Sequence, residues 1–144
     1  MLTVRDLLRN KGGQVYAVKP ENTVLDALQV MAEKNCGAVM VMQGETIAGI
    51  LSERDIVRKV EVQGKTARET LVREIMTEKV FTVQSNQSVA EIMQVMTDKR
   101  IRHLPVTDGQ KLVGVISIGD VVKAIITDQA FTIEQLENYI TGVR

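Results

Sequence analysis

The sequence is short of the residues on which most covalent and metal chemistry rests: among 144 positions there is one cysteine, Cys36, one histidine, His103, and no tryptophan. A lone cysteine cannot close an intramolecular disulfide. One histidine and one cysteine with no close cluster of either leave no recognisable zinc site, and a Ser-His-Asp assembly would have to recruit His103 with nothing beside it. Net charge is missing too. Lys and Arg total 18 and Asp and Glu total 18, so no global field exists to hold a nucleic-acid backbone or an anionic membrane. No apolar run approaches the roughly 18 residues of a membrane span, and the charges at Arg5 and Asp6 interrupt any secretory signal at once. What remains is a compact, soluble, non-enzymatic protein of a reducing cytoplasm, without metal, nucleic-acid or membrane partners, whose 44% hydrophobic residues suffice for a core.

The chain does contain a repeat. Residues 101–120, IRHLPVTDGQKLVGVISIGD, hold a strand, a turn at Asp108-Gly109, a second strand and a helix start. NCGAVMVMQGETIAGILSERD, ending at Asp55, lies over it at an offset of 65 residues, with Val41 on Val106, Gly44 on Gly109, Gly49 on Gly114, Ser52 on Ser117 and Asp55 on Asp120. Over residues 15–60 the offset gives 13 identities in 46 positions, the mark of an internal duplication.

In chain order, Thr3-Val-Arg-Asp6 reads as a capping box opening a short helix that Gly12-Gly13 stops. Residues 15–18 form a strand closed by Pro20. Thr23 then caps a helix with Val24, Ala27, Leu28 and Met31 on its apolar face. Residues 38–42 and 46–51 form a hairpin, and Ser52 starts a helix through Ile56, Val57 and Val60. The unit is β-α-β-β-α. Residues 61–70 are a polar connector, 72–76 a helical turn, and the second unit repeats the order: a strand at 80–83, a box at Ser88-Val-Ala-Glu91, a buried face of Val89, Ile92, Met93 and Met96, the hairpin, and a helix through Val121, Val122, Ile125 and Ile126. Thr132-Ile-Glu-Gln135 reads as one more box, opening a separate helix with Ile133, Leu136, Tyr139 and Ile140 on one face and Gly142 at its end. The expected domains are 1–64 with the N-terminal helix, 65–130 with the connector, and the C-terminal helix 131–144. Two marginal units packed about a pseudo-twofold axis would leave two equivalent clefts between them, the places to look for a ligand.

Ser52-x-x-Asp55 and Ser117-x-x-Asp120 fit ordinary capping as well as the other boxes do. Their place at a strand end beside a cleft also allows a ligand: an aspartate there repels phosphate and accepts hydrogen bonds from a vicinal diol, so ribose is the natural partner. Arg102 and His103 could meet the phosphate that the aspartate rejects, or could belong to a solvated basic cluster. They stand opposite Gly37 and Ala38 of the first copy, while Arg54 stands opposite Gly119, so the clefts would be unequal. The seven methionines are read as core packing, with Met31, Met93 and Met96 on buried helix faces.

The duplication, the Gly-x-x-Ser-x-x-Asp strand ends and Ile-Arg-His-Leu-Pro-Val resemble a pair of cystathionine beta-synthase (CBS) domains, a Bateman module, as in bacterial stand-alone CBS-pair proteins. The resemblance covers nearly the whole chain. It implies an α+β tandem CBS-domain repeat, commonly a flat homodimer, that binds adenosine-containing ligands. AMP, ATP or NAD(H) are expected, with S-adenosylmethionine ranked behind them, in a non-catalytic sensor that signals to an unidentified protein effector. Carried over, Asp55 and Asp120 hold ribose hydroxyls with Ser52 and Ser117 nearby. The opposite copy supplies Tyr16, Gly37 and Ala38 to the Asp120 cleft, and Thr77, Phe81, Ile101, Arg102 and His103 to the Asp55 cleft, where Arg54 joins the phosphate side. Met40 stands where the second copy has the family-like Pro105. A dimerisation or partner-docking module with vestigial clefts is the alternative, and an enzyme would need His103 as its acid or base.

Overall fold

Every helix and strand of the first repeat has a counterpart in the second, in a computed structural model that describes residues 2–141, the side chains of 130, 131, 135, 139 and 141 excepted. The first repeat runs β1 (Ala17–Val18), α2 (Val24–Lys34), β2 (Ala38–Gln43), β3 (Thr46–Ser52) and α3 (Glu53–Ile56). It is preceded by α1 (Val4–Lys11) and followed by a π-helical turn (Val57–Glu61) and α4 (Val72–Ile75). The second runs β4 (Val83–Gln84), α5 (Val89–Lys99), β5 (His103–Asp108), β6 (Lys111–Ser117) and α6 (Ile118–Thr141). Each repeat has its own three-stranded sheet, ordered β1-β2-β3 or β4-β5-β6, with a parallel first pair and an antiparallel hairpin. Both hairpins carry a register shift at the same place, after Val41 and after Val106.

Local chemistry accounts for the boundaries. Thr23 accepts from the Asp26 amide while the Asp26 carboxylate takes the Thr23 amide, and α2 closes at Asn35 in a left-handed backbone, as α5 does at Arg100. The strand expected at 80–83 begins only at Val83. In the first repeat the Met40 amide donates to the Tyr16 carbonyl at 2.9 Å, extending the ladder toward Tyr16. The equivalent of Met40 is Pro105, which has no N–H to give, so the ladder cannot grow back to Phe81.

The helices ahead of each repeat are distributed differently from the expectation that 1–64 and 65–130 are the units. The chain forms one unit from Gln14–Thr82 and another from Met1–Gly13 with Val83–Arg144. The reason is visible in the backbone. The Val4 and Arg5 amides donate to the carbonyls of Gln87 and Ser85, both at 2.9 Å. The Val72 and Arg73 amides make the same bonds to Asn22 and Pro20, at 2.8 and 3.0 Å. Thus α1 closes the second repeat and α4 closes the first.

Each unit buries its own core. Val24, Ala27, Val41, Leu51, Val60 and Val72 are fully enclosed in one, and Val4, Ile92, Leu104, Val106, Ile116 and Val121 in the other. The helix-face reading holds for Val89, Ile92 and Met96 but not for Met93, which is 41% exposed, nor for Val57, Val122 and Ile126. The expected break before Thr132 is absent. α6 runs unbroken, and the Thr132 hydroxyl donates to the Asp128 carbonyl four residues back instead of capping a new helix. Ile133, Leu136 and Ile140 stay exposed; the side chain of Tyr139 and all of Gly142 lie outside the described residues.

One glycine per hairpin makes the helix placement possible. A Cβ at Gly114 would sit 2.5 Å from Leu8 Cδ2 on α1, and a Cβ at Gly49 would sit 2.8 Å from the Thr77 carbonyl oxygen and 3.0 Å from Met76 Sδ. The first obstacle is a side-chain tip and the second is backbone, so the two substitutions differ in cost. Gly49→Ala is expected to destabilise the protein by about 2–3 kcal/mol and Gly114→Ala by about 1 kcal/mol, with Leu8→Ala largely offsetting the clash at Gly114, as read from urea unfolding midpoints.

Candidate functional site

Each repeat turns from its last strand into the following helix at a serine, and each serine orients an aspartate. In the first unit the Glu53 amide, just past the strand, donates to the Gly37 carbonyl at 3.0 Å, while Ser52 pairs with Ala38 across the sheet. Ser52 Oγ accepts the Asp55 amide at 3.2 Å, and Asp55 Oδ2 accepts from the Ser52 amide and hydroxyl, both at 3.1 Å. Thr77 is locked to Ile50 by reciprocal backbone bonds of 2.9 and 3.0 Å, which brings its hydroxyl to 3.3 Å from Asp55 Oδ1. Lys59 Nζ lies 3.4 Å from the same oxygen and donates to the Ile75 carbonyl at 2.9 Å. Gly37, Ala38, Ser52, Asp55 and Thr77 therefore meet at one junction, with Arg54 in the first turn of α3 and Tyr16 just before β1. An apolar groove of about 450 Å³, lined by Leu28, Met31, Cys36, Ile56 and Val57 among others, also reaches Gly37 and Glu53.

The second unit repeats the frame with other side chains on it. The Ile118 amide donates to the Arg102 carbonyl at 2.8 Å, His103 pairs with Ser117, the Ser117 amide donates to Asp120 Oδ2 at 2.8 Å, and Ser117 Oγ accepts the Asp120 amide at 3.2 Å. Lys11, from the end of α1, donates to Asp120 Oδ2 and to the Val115 carbonyl, both at 2.7 Å. Partial burial works to raise the Asp120 carboxyl, but the Lys11 ammonium and the Ser117 amide outweigh it and hold the group below its ordinary value. Ile101 is half-buried, the Arg102 side chain is exposed, and Pro105 is buried one step into the strand.

Two expectations change. Thr77 and Phe81 belong to the same unit as Asp55, not to the opposite copy, because the chain after α4 stays with the first repeat's sheet. Two cations stand outside the predicted site: Lys59, whose place among Glu53, Arg54 and Arg58 reads as a solvated helix face, and Lys11. Lys59 carried a readable signal, four residues after Asp55 on a helix. Lys11 carried none, because its role depends on α1 folding onto a sheet about a hundred residues away in sequence.

This frame defines a class: two sequence-similar α+β units, each three strands with flanking helices and each presenting a serine-anchored aspartate where its last strand becomes a helix. The profile of the CBS domain matches residues 4–62 and 72–127, and the chain belongs to that family as a CBS-pair regulatory module. It is 39% identical to the CBS domain-containing protein CBSX3, mitochondrial, of Arabidopsis thaliana, across 97% of this chain and 72% of that one. A Burkholderia ambifaria MC40-6 protein with CBS domains superposes with a TM-score of 0.85 at 49% identity, covering 88% of this chain and 96% of the other. The CBS-domain protein ATU1752 of Agrobacterium tumefaciens gives 0.81 at 39%, covering 85% and 98%. No helix among the described residues is long and apolar enough to cross a membrane.

The Lys11 contact generates a pH dependence. A carboxyl whose folded value is lowered adds stability above its unfolded value, about 3.9, and loses that contribution as pH falls through the folded value. Asp120→Asn is expected to unfold at lower urea than the native protein at pH 7, and the gap should close as the pH falls through the folded value of the carboxyl. Lys11→Met should narrow the same gap at pH 7.

Proposed function

We propose that the chain is a non-catalytic cytoplasmic sensor, a homodimer that reversibly binds an adenosine-containing ligand, AMP, ATP or NAD(H), and passes the occupancy to a protein effector. S-adenosylmethionine ranks behind these. The reading rests on one observation: both repeats present an aspartate fixed by a serine amide with an ammonium beside it, Lys59 at 3.4 Å and Lys11 at 2.7 Å. A carboxylate paired with an ammonium suits a vicinal diol, whose hydroxyls donate to the first and accept from the second. Phosphate cannot replace the ribose there, since it would meet the carboxylate head-on. Arg54 in the first unit, and Arg102 with His103 in the second, are cationic or titratable groups on the same junctions and suit the phosphate side.

A second reading has an observation of its own. Asp55 already accepts from Ser52 and lies within reach of Thr77 and Lys59, a set that satisfies the carboxylate with no ligand at all. That favours a dimerisation or partner-docking module whose ligand sites are vestigial.

Titration calorimetry separates the two. Protein freed of carried-over ligand is expected to bind at least one of AMP, ATP, NAD(H) and S-adenosylmethionine. Asp55→Ala/Asp120→Ala should weaken that binding by two orders of magnitude or more, the loss of about 3 kcal/mol expected for a charge-assisted pair of hydrogen bonds. Heat from none of the four, or affinity unchanged in the double variant, would leave the docking reading standing.

A further inference from the structure

The exposed apolar seam of α6 is organised in a way that points to its occupant. The helix has 24 residues, about 36 Å at 1.5 Å per residue. Only its first turns are seated, through buried Val121 and half-buried Ala124 and Ile125. From Thr127 onward every described side chain except half-buried Asn138 is exposed. A helical stretch that leaves this much of its described surface exposed is marginal in water on its own. The apolar residues it shows to solvent are not scattered. Val122, Ile126, Ile133, Leu136 and Ile140, between 47% and 80% exposed, fall on a and d positions of a heptad, with Gln129 at the remaining d.

The charges beside the seam decide the orientation. Lys123 and Glu137 both occupy e positions. When two copies of α6 run antiparallel, e faces e. Ile126 then lies against Leu136 and Ile140 against Val122 of the second copy, and Lys123 of each chain faces Glu137 of the other. In a parallel pair e faces g, and Lys123 and Glu137 would meet Ile118 and Thr132, neither of them charged. We infer that the α6 seam pairs antiparallel with the α6 of a second copy of this chain. The inference rests on the homodimer in the proposed function and is independent of its ligand.

The test is the mass of the full chain by light scattering, with helix content followed by circular dichroism. The native chain is expected to be a dimer, and Leu136→Lys a folded monomer. Lys123→Glu and Glu137→Lys should each raise the dissociation constant about tenfold at low salt, and the two together should restore it, because only the antiparallel register exchanges one ion pair for its reverse. In a Cys36→Ser background, Val122→Cys/Ile140→Cys should form a disulfide between chains and Ile140→Cys alone should not. Self-cross-linking of Ile140→Cys, or charge-reversal variants that fail to complement, would overturn the antiparallel pairing. A dimer that survives Leu136→Lys would overturn this interface and leave the dimer itself in place, whereas a monomeric native chain would overturn both.

Discussion

The close approach of a short helix to the middle of a hairpin is the constraint on which the rest of the structure depends. Three strands and the two helices of one repeat leave part of the core open, so each sheet needs a further cover. It receives one only because Gly49 and Gly114 leave room in the strand for Met76 and Leu8. Once α1 and α4 are seated, their first amides cap the carbonyls of the loops before α2 and α5, and the loops are fixed in turn. Packing and backbone hydrogen bonding thus close the same gap twice.

The same seating decides the chemistry of the two carboxylates. The serine-aspartate frame is common to both units, yet the cation at each comes from a different source. Lys59 arrives from the π-helical turn after α3, and Lys11 from the tip of α1. At Asp55 the lysine is joined by the Thr77 hydroxyl, and the Asp120 side chain is the more exposed of the two, 25% against 16%. The duplicated frame therefore offers two carboxylates of unequal availability, the more open one beside Arg102 and His103.

Much of this was legible in the sequence. The 65-residue offset, the hairpins, the α2 face, the α5 face apart from Met93 and the serine-aspartate junctions are local patterns, legible because hydrophobic period and capping act over a few residues. What was missed depends on distant partners. Helix α1 looks the same in sequence whichever sheet it covers, so its transfer to the second unit and the role of Lys11 were invisible. The late start of β4 was carried by Pro105, but only knowing that its neighbour would be the chain before Val83 turns a missing N–H into a shortened strand. The Thr132 box failed because a capping pattern competes with an already running helix, and the helix prevailed.

The division into units also bears on the order in which the protein is made. Residues 14–82 are contiguous and include the helix that seals them, so that unit is complete as soon as its own stretch has been synthesised. The other unit is split around it. Helix α1 is made before residues 14–82 and its sheet after them, and the Lys11–Asp120 contact closes a gap of 109 residues. On a ribosome the N-terminal segment waits, with Leu7 and Leu8 uncovered, until β6 has been added. Helix α1 is therefore translated before the contiguous unit yet finds its place after it.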